Sequence, residues 1–286
     1  MHLVMFSRGG NAPEAGVVRD GEVIALSELG IPDLLWLIRG GPQALARVRA
    51  WIAEPPPDVS APIESVQLLA PIPCPPKIMC VGLNYKDHAE ETQMALSSVP
   101  TIFAKFPTAV IGPGASIVLP KSSTQTDYEA EFAFVIGEGG RHIPASEWRQ
   151  HVFGYTIMND VSARDYQMAS SQWTMGKNFD TFAPMGPWIV TANEIADPHA
   201  LDISLTLNGV QMQSSNTRNQ IFRIPELIAF LSSVFTLEPG DMVSTGTPAG
   251  VGYKRKPPVF LQPGDEVVVR VEGLGELRNP VVAESV

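Results

Sequence analysis

The stretch Asp127-Tyr128-Glu129-Ala130-Glu131-Phe132-Ala133-Phe134-Val135-Ile136 decides how the chain is read. Side chains alternate between the two faces of a strand, so Ala130, Phe132, Phe134 and Ile136 share one face and Glu129 and Glu131 share the other. The aromatic face belongs in a core. The two glutamates stand about 6.6 Å apart along the backbone, and they repel each other unless something positive lies between them. By itself the segment admits two readings. Asp127, Glu129 and Glu131 are the wet face of an amphipathic strand, or the pair holds a hard cation. Oxygen donors suit Mg²⁺, Mn²⁺ or Ca²⁺, whereas zinc prefers His and Cys.

Further along, Asp160 follows the apolar run Tyr155-Thr156-Ile157-Met158, which places a third acid at the end of a buried strand, where function tends to cluster. Short β-branched or aromatic runs predict more strands over Leu3–Phe6, Ala15–Val18, Glu22–Leu26, Ile78–Leu83, Ile102–Phe106, Trp188–Thr191, Ile203–Leu207, Met242–Thr245 and Glu266–Glu272. Asn208-Gly209 predicts a type I′ hairpin. Helices are few: Asp33–Ile38, Pro42–Ile52, Tyr85–Met94, Ala145–Gln150 and Pro225–Val234. The fold class is therefore mostly β (α+β). Pro55-Pro56-Pro57 and Pro62 stiffen a linker, which predicts a small α/β N-terminal domain over residues 1–65 and a larger domain over 66–286.

The 286 residues are 44% hydrophobic, enough to bury a sizeable core, and 30 acidic against 20 basic residues give a net charge of -10. That balance leaves no basic footprint for a phosphate backbone, so nucleic acid is excluded as a partner. The longest apolar runs are strand-length and fall far short of the ~18 residues a membrane span needs. No signal-peptide core follows Met1, and the expected location is cytoplasmic. Cys74 and Cys80 are too few for a disulfide framework, match no zinc module, and read as reduced core thiols.

Four motifs in order carry a resemblance: Glu129-x-Glu131; Asn159 to Asp165, reading NDVSARD; Gly176 to Pro187, reading GKNFDTFAPMGP; and Gly240 to Gly252, reading GDMVSTGTPAGVG. From Cys74 to about Val282 the chain resembles the fumarylacetoacetate hydrolase (FAH) family. That resemblance implies mixed β-sheets rolled around the site, a homodimer built on the C-terminal domain, and Glu129, Glu131 and Asp160 as ligands of a divalent metal. Some members have a fourth acidic ligand where this chain has Asn84. Three carboxylates leave an open octahedral site, which suits Mg²⁺ or Mn²⁺ better than Ca²⁺.

The segment from Gly82 to Glu91 resembles the family's lid. His88 and Glu91, three apart, share a helix face, so the carboxylate orients the imidazole as a general-base dyad. Without the resemblance, a histidine among acids reads as a surface residue. The resemblance also makes Lys177 catalytic and places Tyr85, Lys105, Arg164, Gln167 and Thr247 around the substrate. Gly246, Gly250 and Gly252 lack the Gly-Lys-Ser/Thr of a phosphate loop. The implied substrate is a small 2-oxo or diketo acid, as in aromatic catabolism. The expected reaction is hydrolysis of a carbon-carbon bond in an acylpyruvate. Two alternatives use the same residues: decarboxylation of an oxaloacetate-type acid, or isomerisation of an unsaturated 2-oxo diacid. A catalytically silent, metal-stabilised binding module is the remaining reading, and the His88–Glu91 pair with Lys177 argues against it.

Overall fold

A computed structural model describes residues 1–93 and 97–285. The helix expected over Tyr85–Met94 spans Lys86–Thr92, and Met94 lies outside the described residues.

Strand Ala130–Ile136 is buried at every position, so neither of its faces is wet. Phe132, Phe134 and Ile136 pack into one core with Leu205, Val269 and Leu277. Ala133 and Val135, which continue the acid-bearing face, pack into a second core with Leu3, Met5, Leu34 and Leu37. The alternation is correct and the solvated face is not. A strand in the middle of a large sheet is covered on both sides, and here the N-terminal residues supply the second cover.

A twelve-stranded sheet forms the body of the protein. Its main path runs Ser60–Pro62, Glu22–Ala25, Glu14–Arg19, His2–Ser7, Ala183–Thr191, Val152–Asn159, Ala130–Ile136, Met242–Ser244, Ile78–Gly82, Thr101–Lys105. The expected division at residue 65 does not interrupt this sheet, since His2 pairs with Val190 and Leu3 with Ile189. Beside it, a five-stranded sheet runs Val210–Asn216, Asp202–Leu207, Glu266–Val271, Gly275–Ala283, Ile117–Leu119. The Asn208-Gly209 turn between its first two strands has φ of 52° and 78°, both positive as a type I′ hairpin requires.

Two helices of the N-terminal part, Leu34–Arg39 and Gly41–Ala53, cover the second core. Asp33 caps the first by accepting a 2.7 Å bond from the Trp36 N–H. No described helix is long and apolar enough to cross a membrane. Cys80 is buried as expected, but Cys74 is exposed and is no core thiol.

Candidate active site

Strand register brings the three acids together. Ala130 pairs with Asn159 and Glu131 with Met158 in an antiparallel ladder. One step further, Glu129 faces Asp160, and the Asp160 N–H donates to the Glu129 carbonyl at 2.9 Å. Opposed residues of antiparallel strands project to the same face. A ligand oxygen from each of Glu129, Glu131 and Asp160 therefore fits within 4.8 Å of the others, and all three residues are buried.

Cations surround two of the three. Lys177 Nζ donates to Glu129 Oε2 and Asp160 Oδ2, both at 2.7 Å. Lys105 Nζ donates to Asp160 Oδ1 at 2.7 Å, and Arg164 Nη1 lies 2.7 Å from Glu129 Oε1. Burial pushes the Glu129 carboxyl up, but Lys177 and Arg164 outweigh it and hold the group down to about 2. Burial pushes Lys177 the other way, and Asp160 and Glu129 outweigh it, so the ammonium keeps its proton well above neutral pH.

Glu131 is different. It is 1% exposed and forms no ion pair among the described residues. Its Oε2 accepts from the Ser244 hydroxyl at 2.5 Å and the Gly246 N–H at 2.9 Å. Burial first, then repulsion from Asp160 and Glu129, pushes its carboxyl well above the usual range. Among the described residues, Asp127 and the three acids meet three cations, Lys105, Arg164 and Lys177, one fewer than the carboxyl groups. A buried uncompensated carboxylate costs several kcal/mol. Three convergent carboxylates with lone pairs to spare, one of them lacking a cation, fit a hard divalent ion.

A pocket of about 100 Å³ opens over Glu129 and Glu131. His88 lines it, with Nδ1 3.1 Å from Glu91 Oε2. An Nδ1–H bonded to the carboxylate leaves Nε2 as the basic nitrogen. Glu91 is itself fixed, since its Oε1 accepts from the Gly250 N–H at 3.0 Å. Arg164, Gln167, Lys177 and Thr247 line the same pocket. Arg164 Nη1 donates to Gln167 Oε1 at 2.9 Å and Arg164 Nε to Asp127 Oδ2 at 2.8 Å, while the buried Nη2 has no hydrogen-bond partner among the described residues.

Two expected substrate contacts are absent from this pocket. Lys105 directs its ammonium at Asp160 Oδ1, the Val161 carbonyl at 3.1 Å and the Lys177 carbonyl, which uses all three of its donors. Tyr85 is 0% exposed, and its hydroxyl accepts from Gln220 Nε2 at 3.4 Å inside the core. Neither lines the pocket: Tyr85 points into the core, and Lys105 points into the carboxylate cluster at Asp160. Asn84 is a pin. Its side chain donates to the carbonyls of Phe222 and Thr245 at 2.9 and 2.8 Å and accepts from the Phe222 N–H at 2.7 Å.

Sequence reasoning missed Phe103, Trp173 and Tyr253 as walls, and Gln213 as a support. Gln213 accepts from the Ala130 N–H at 2.9 Å and donates to Thr247 Oγ1 at 2.8 Å, tying strand to loop. One signal was available: a Cβ on Gly82 would lie 2.3 Å from the Trp173 ring, so the glycine marks a close approach.

Fold and site together define an enzyme that acts on ketonic substrates. The chain belongs to the fumarylacetoacetate hydrolase family: residues 77–282 match the model of the fumarylacetoacetate hydrolase C-terminal domain. It is 47% identical over 250 residues to a Rattus norvegicus protein named oxaloacetate tautomerase Fahd2a, mitochondrial, covering 87% of this chain and 79% of that one. A maleylpyruvate hydrolase from Sphingobium sp. SYK-6, solved with manganese(II) and pyruvate, superposes over the full length of both chains with a TM-score of 0.84 and 32% identity. A 5-carboxymethyl-2-hydroxymuconate delta-isomerase from Mycobacterium smegmatis does so over 99% of this chain and 100% of that one, with a TM-score of 0.79 and 35% identity. The cytoplasmic expectation is overturned, because the rat relative and its bovine and human counterparts are named mitochondrial.

Proposed function

We propose that this enzyme interconverts the keto and enol forms of a small 2-oxo diacid of the oxaloacetate type. The observation that carries the proposal is the oriented His88–Glu91 pair in a pocket of about 100 Å³ directly over the carboxylate cluster. A pocket of that volume suits a compact acid of a few carbons, and the rat relative's name points to the same chemistry. Glu129, Glu131 and Asp160 would hold Mg²⁺ or Mn²⁺. When bound, the ion supplies Lewis acidity toward the adjacent oxygens of a 2-oxo acid.

The remaining work falls to this chain's own residues. His88, steered by Glu91, takes a proton from the carbon next to the keto group. The electron pair of that C–H bond moves toward the keto oxygen. Returning the proton to that oxygen gives the enol, and the reverse sequence gives the keto acid, so nothing is added or lost. Lys177 stays charged beside the cluster and offsets negative charge developing on the oxygen. Gln167, held by Arg164, and Thr247, held by Gln213, present an amide and a hydroxyl to the substrate. Trp173, Phe103 and Tyr253 exclude water from the carbanion.

Hydrolysis of an acylpyruvate is the second reading, supported by the likeness to the maleylpyruvate hydrolase. There His88 would take its proton from a water that attacks the distal carbonyl. Stopped-flow loss of oxaloacetate enol absorbance, with Mg²⁺ and then with EDTA, separates the two. Acceleration that needs the metal, with no acid fragment released from acetylpyruvate or maleylpyruvate, is the expected result. Fast cleavage of either acylpyruvate with no effect on the oxaloacetate enol would replace tautomerisation by hydrolysis.

A further inference from the structure

The His88–Glu91 pair is held from outside its pocket. Glu91 bonds His88 through one carboxylate oxygen and accepts from the Gly250 N–H through the other, at 3.0 Å. That amide lies in a tight place. Gly250 has φ +104°, and a Cβ there would stand 2.1 Å from the Met212 carbonyl oxygen, so the loop presses on its neighbour where only glycine fits. Two side chains clamp the same residue. The Tyr128 hydroxyl donates to the Gly250 carbonyl at 3.2 Å, and Arg255 Nε donates to that oxygen at 3.3 Å. Arg255 Nη2 donates in turn to the Met212 carbonyl, which ties the loop to the strand Val210–Asn216. Arg255 is half-buried, and neither it nor Tyr128 is among the described residues that line the catalytic pocket.

The loop has a second task. Its Gly252 and Tyr253 N–H groups donate to Asp127 at 2.8 and 3.0 Å, and Asp127 accepts from Arg164 Nε at 2.8 Å. The Tyr253 ring lies 4.4 Å from the Arg164 guanidinium. Residues 250–253 therefore support the base at one end and a pocket wall at the other. A general loosening of the loop would disturb both, whereas loss of the clamp on Gly250 should disturb the base alone.

We propose that Arg255 is a positioning residue for His88, acting through Gly250 and Glu91 to hold the imidazole with its proton on Nδ1. A base steered into the wrong tautomer offers its proton-bearing nitrogen to the substrate and cannot act. The proposal rests on His88 serving as the base of the proposed function, so one arm of its test reads the imidazole directly. NMR of isotope-labelled histidine nitrogens in alkaline solution, with His88 assigned by its loss in His88→Ala, should show the Nδ1–H form in the wild-type protein and a mixture of tautomers in Arg255→Met. In stopped-flow enol conversion Arg255→Met should lose roughly 10- to 100-fold in kcat, the scale of a small misplacement of a catalytic group, with KM and Mg²⁺ affinity unchanged. Tyr128→Phe removes the other donor to Gly250 and leaves the ring in the core; it should move both readouts the same way by less. Wild-type protein inert toward oxaloacetate, yet showing the tautomer shift in Arg255→Met, would count against the proposed function and for the positioning role. An unchanged tautomer in both variants, an unchanged kcat in both variants of an active enzyme, or a KM that rises in step with the loss of kcat would overturn the proposal.

Discussion

Replacing Glu131 by Gln tests the charge reading of the site, because the same substitution should act in opposite directions with and without metal. Among the described residues no side-chain cation meets buried Glu131, and burial with repulsion from Asp160 and Glu129 makes its charge unwelcome. A glutamine carbonyl can still accept from Ser244 and Gly246, while its NH₂ turns toward the other two carboxylates. The metal-free variant should therefore melt at or above the wild-type temperature. With metal the order reverses. A ligand at 100 times its Kd stabilises the folded state by about 2.7 kcal/mol. Unfolding entropy of about 2.1 cal/mol/K per residue gives roughly 0.6 kcal/mol/K for a chain of this length, so the wild-type Tm should rise by about 4.5 °C. Differential scanning calorimetry in EDTA and in saturating Mg²⁺ reads both states. The reasoning fails if Glu131→Gln keeps the full metal shift, or if its metal-free form is several degrees less stable than wild type.

Other outcomes follow from the same contacts. His88→Ala should leave Mg²⁺ affinity intact and slow enol conversion by at least about 100-fold, measured by calorimetry and stopped-flow absorbance. Asn84→Asp would set a carboxylate oxygen against the carbonyls of Phe222 and Thr245 and lose both N–H bonds; a loss of about 3 kcal/mol, or about 5 °C in Tm, is expected, and an unchanged melt would remove Asn84 as a pin. Gly246→Ala would put a Cβ 2.8 Å from the Val81 carbonyl at φ +88°, on the residue whose N–H bonds Glu131, so soluble protein with weakened metal binding is expected. Unaltered Mg²⁺ affinity in that variant would separate Gly246 from the placement of Glu131.

The mostly β character was legible because strand signals are local: aromatic alternation in Ala130–Ile136 and the Asn208-Gly209 turn both appear as read. Burial of the acidic face was not, since it depends on Leu3 and Leu34 packing there from about a hundred residues away or more. The meeting of Glu129 with Asp160 depends on the register of two strands, which periodicity does not encode; the resemblance to known motifs supplied it. The same limit explains Lys105 and Tyr85. Their residue types suit substrate contacts, but only the packed structure shows them turned toward Asp160 and Gln220. Gln213 carried no local signal at all, since a glutamine on the outer strand of the other sheet becomes a support only through long-range packing.

Anomalous diffraction at the manganese edge, from crystals grown with Mn²⁺, tests the central claim most directly. The account predicts one peak per chain, coordinated by oxygens of Glu129, Glu131 and Asp160, with Lys177 retained at its flank. A site without a peak, its acids bridged only by the Lys177 ammonium, would contradict it.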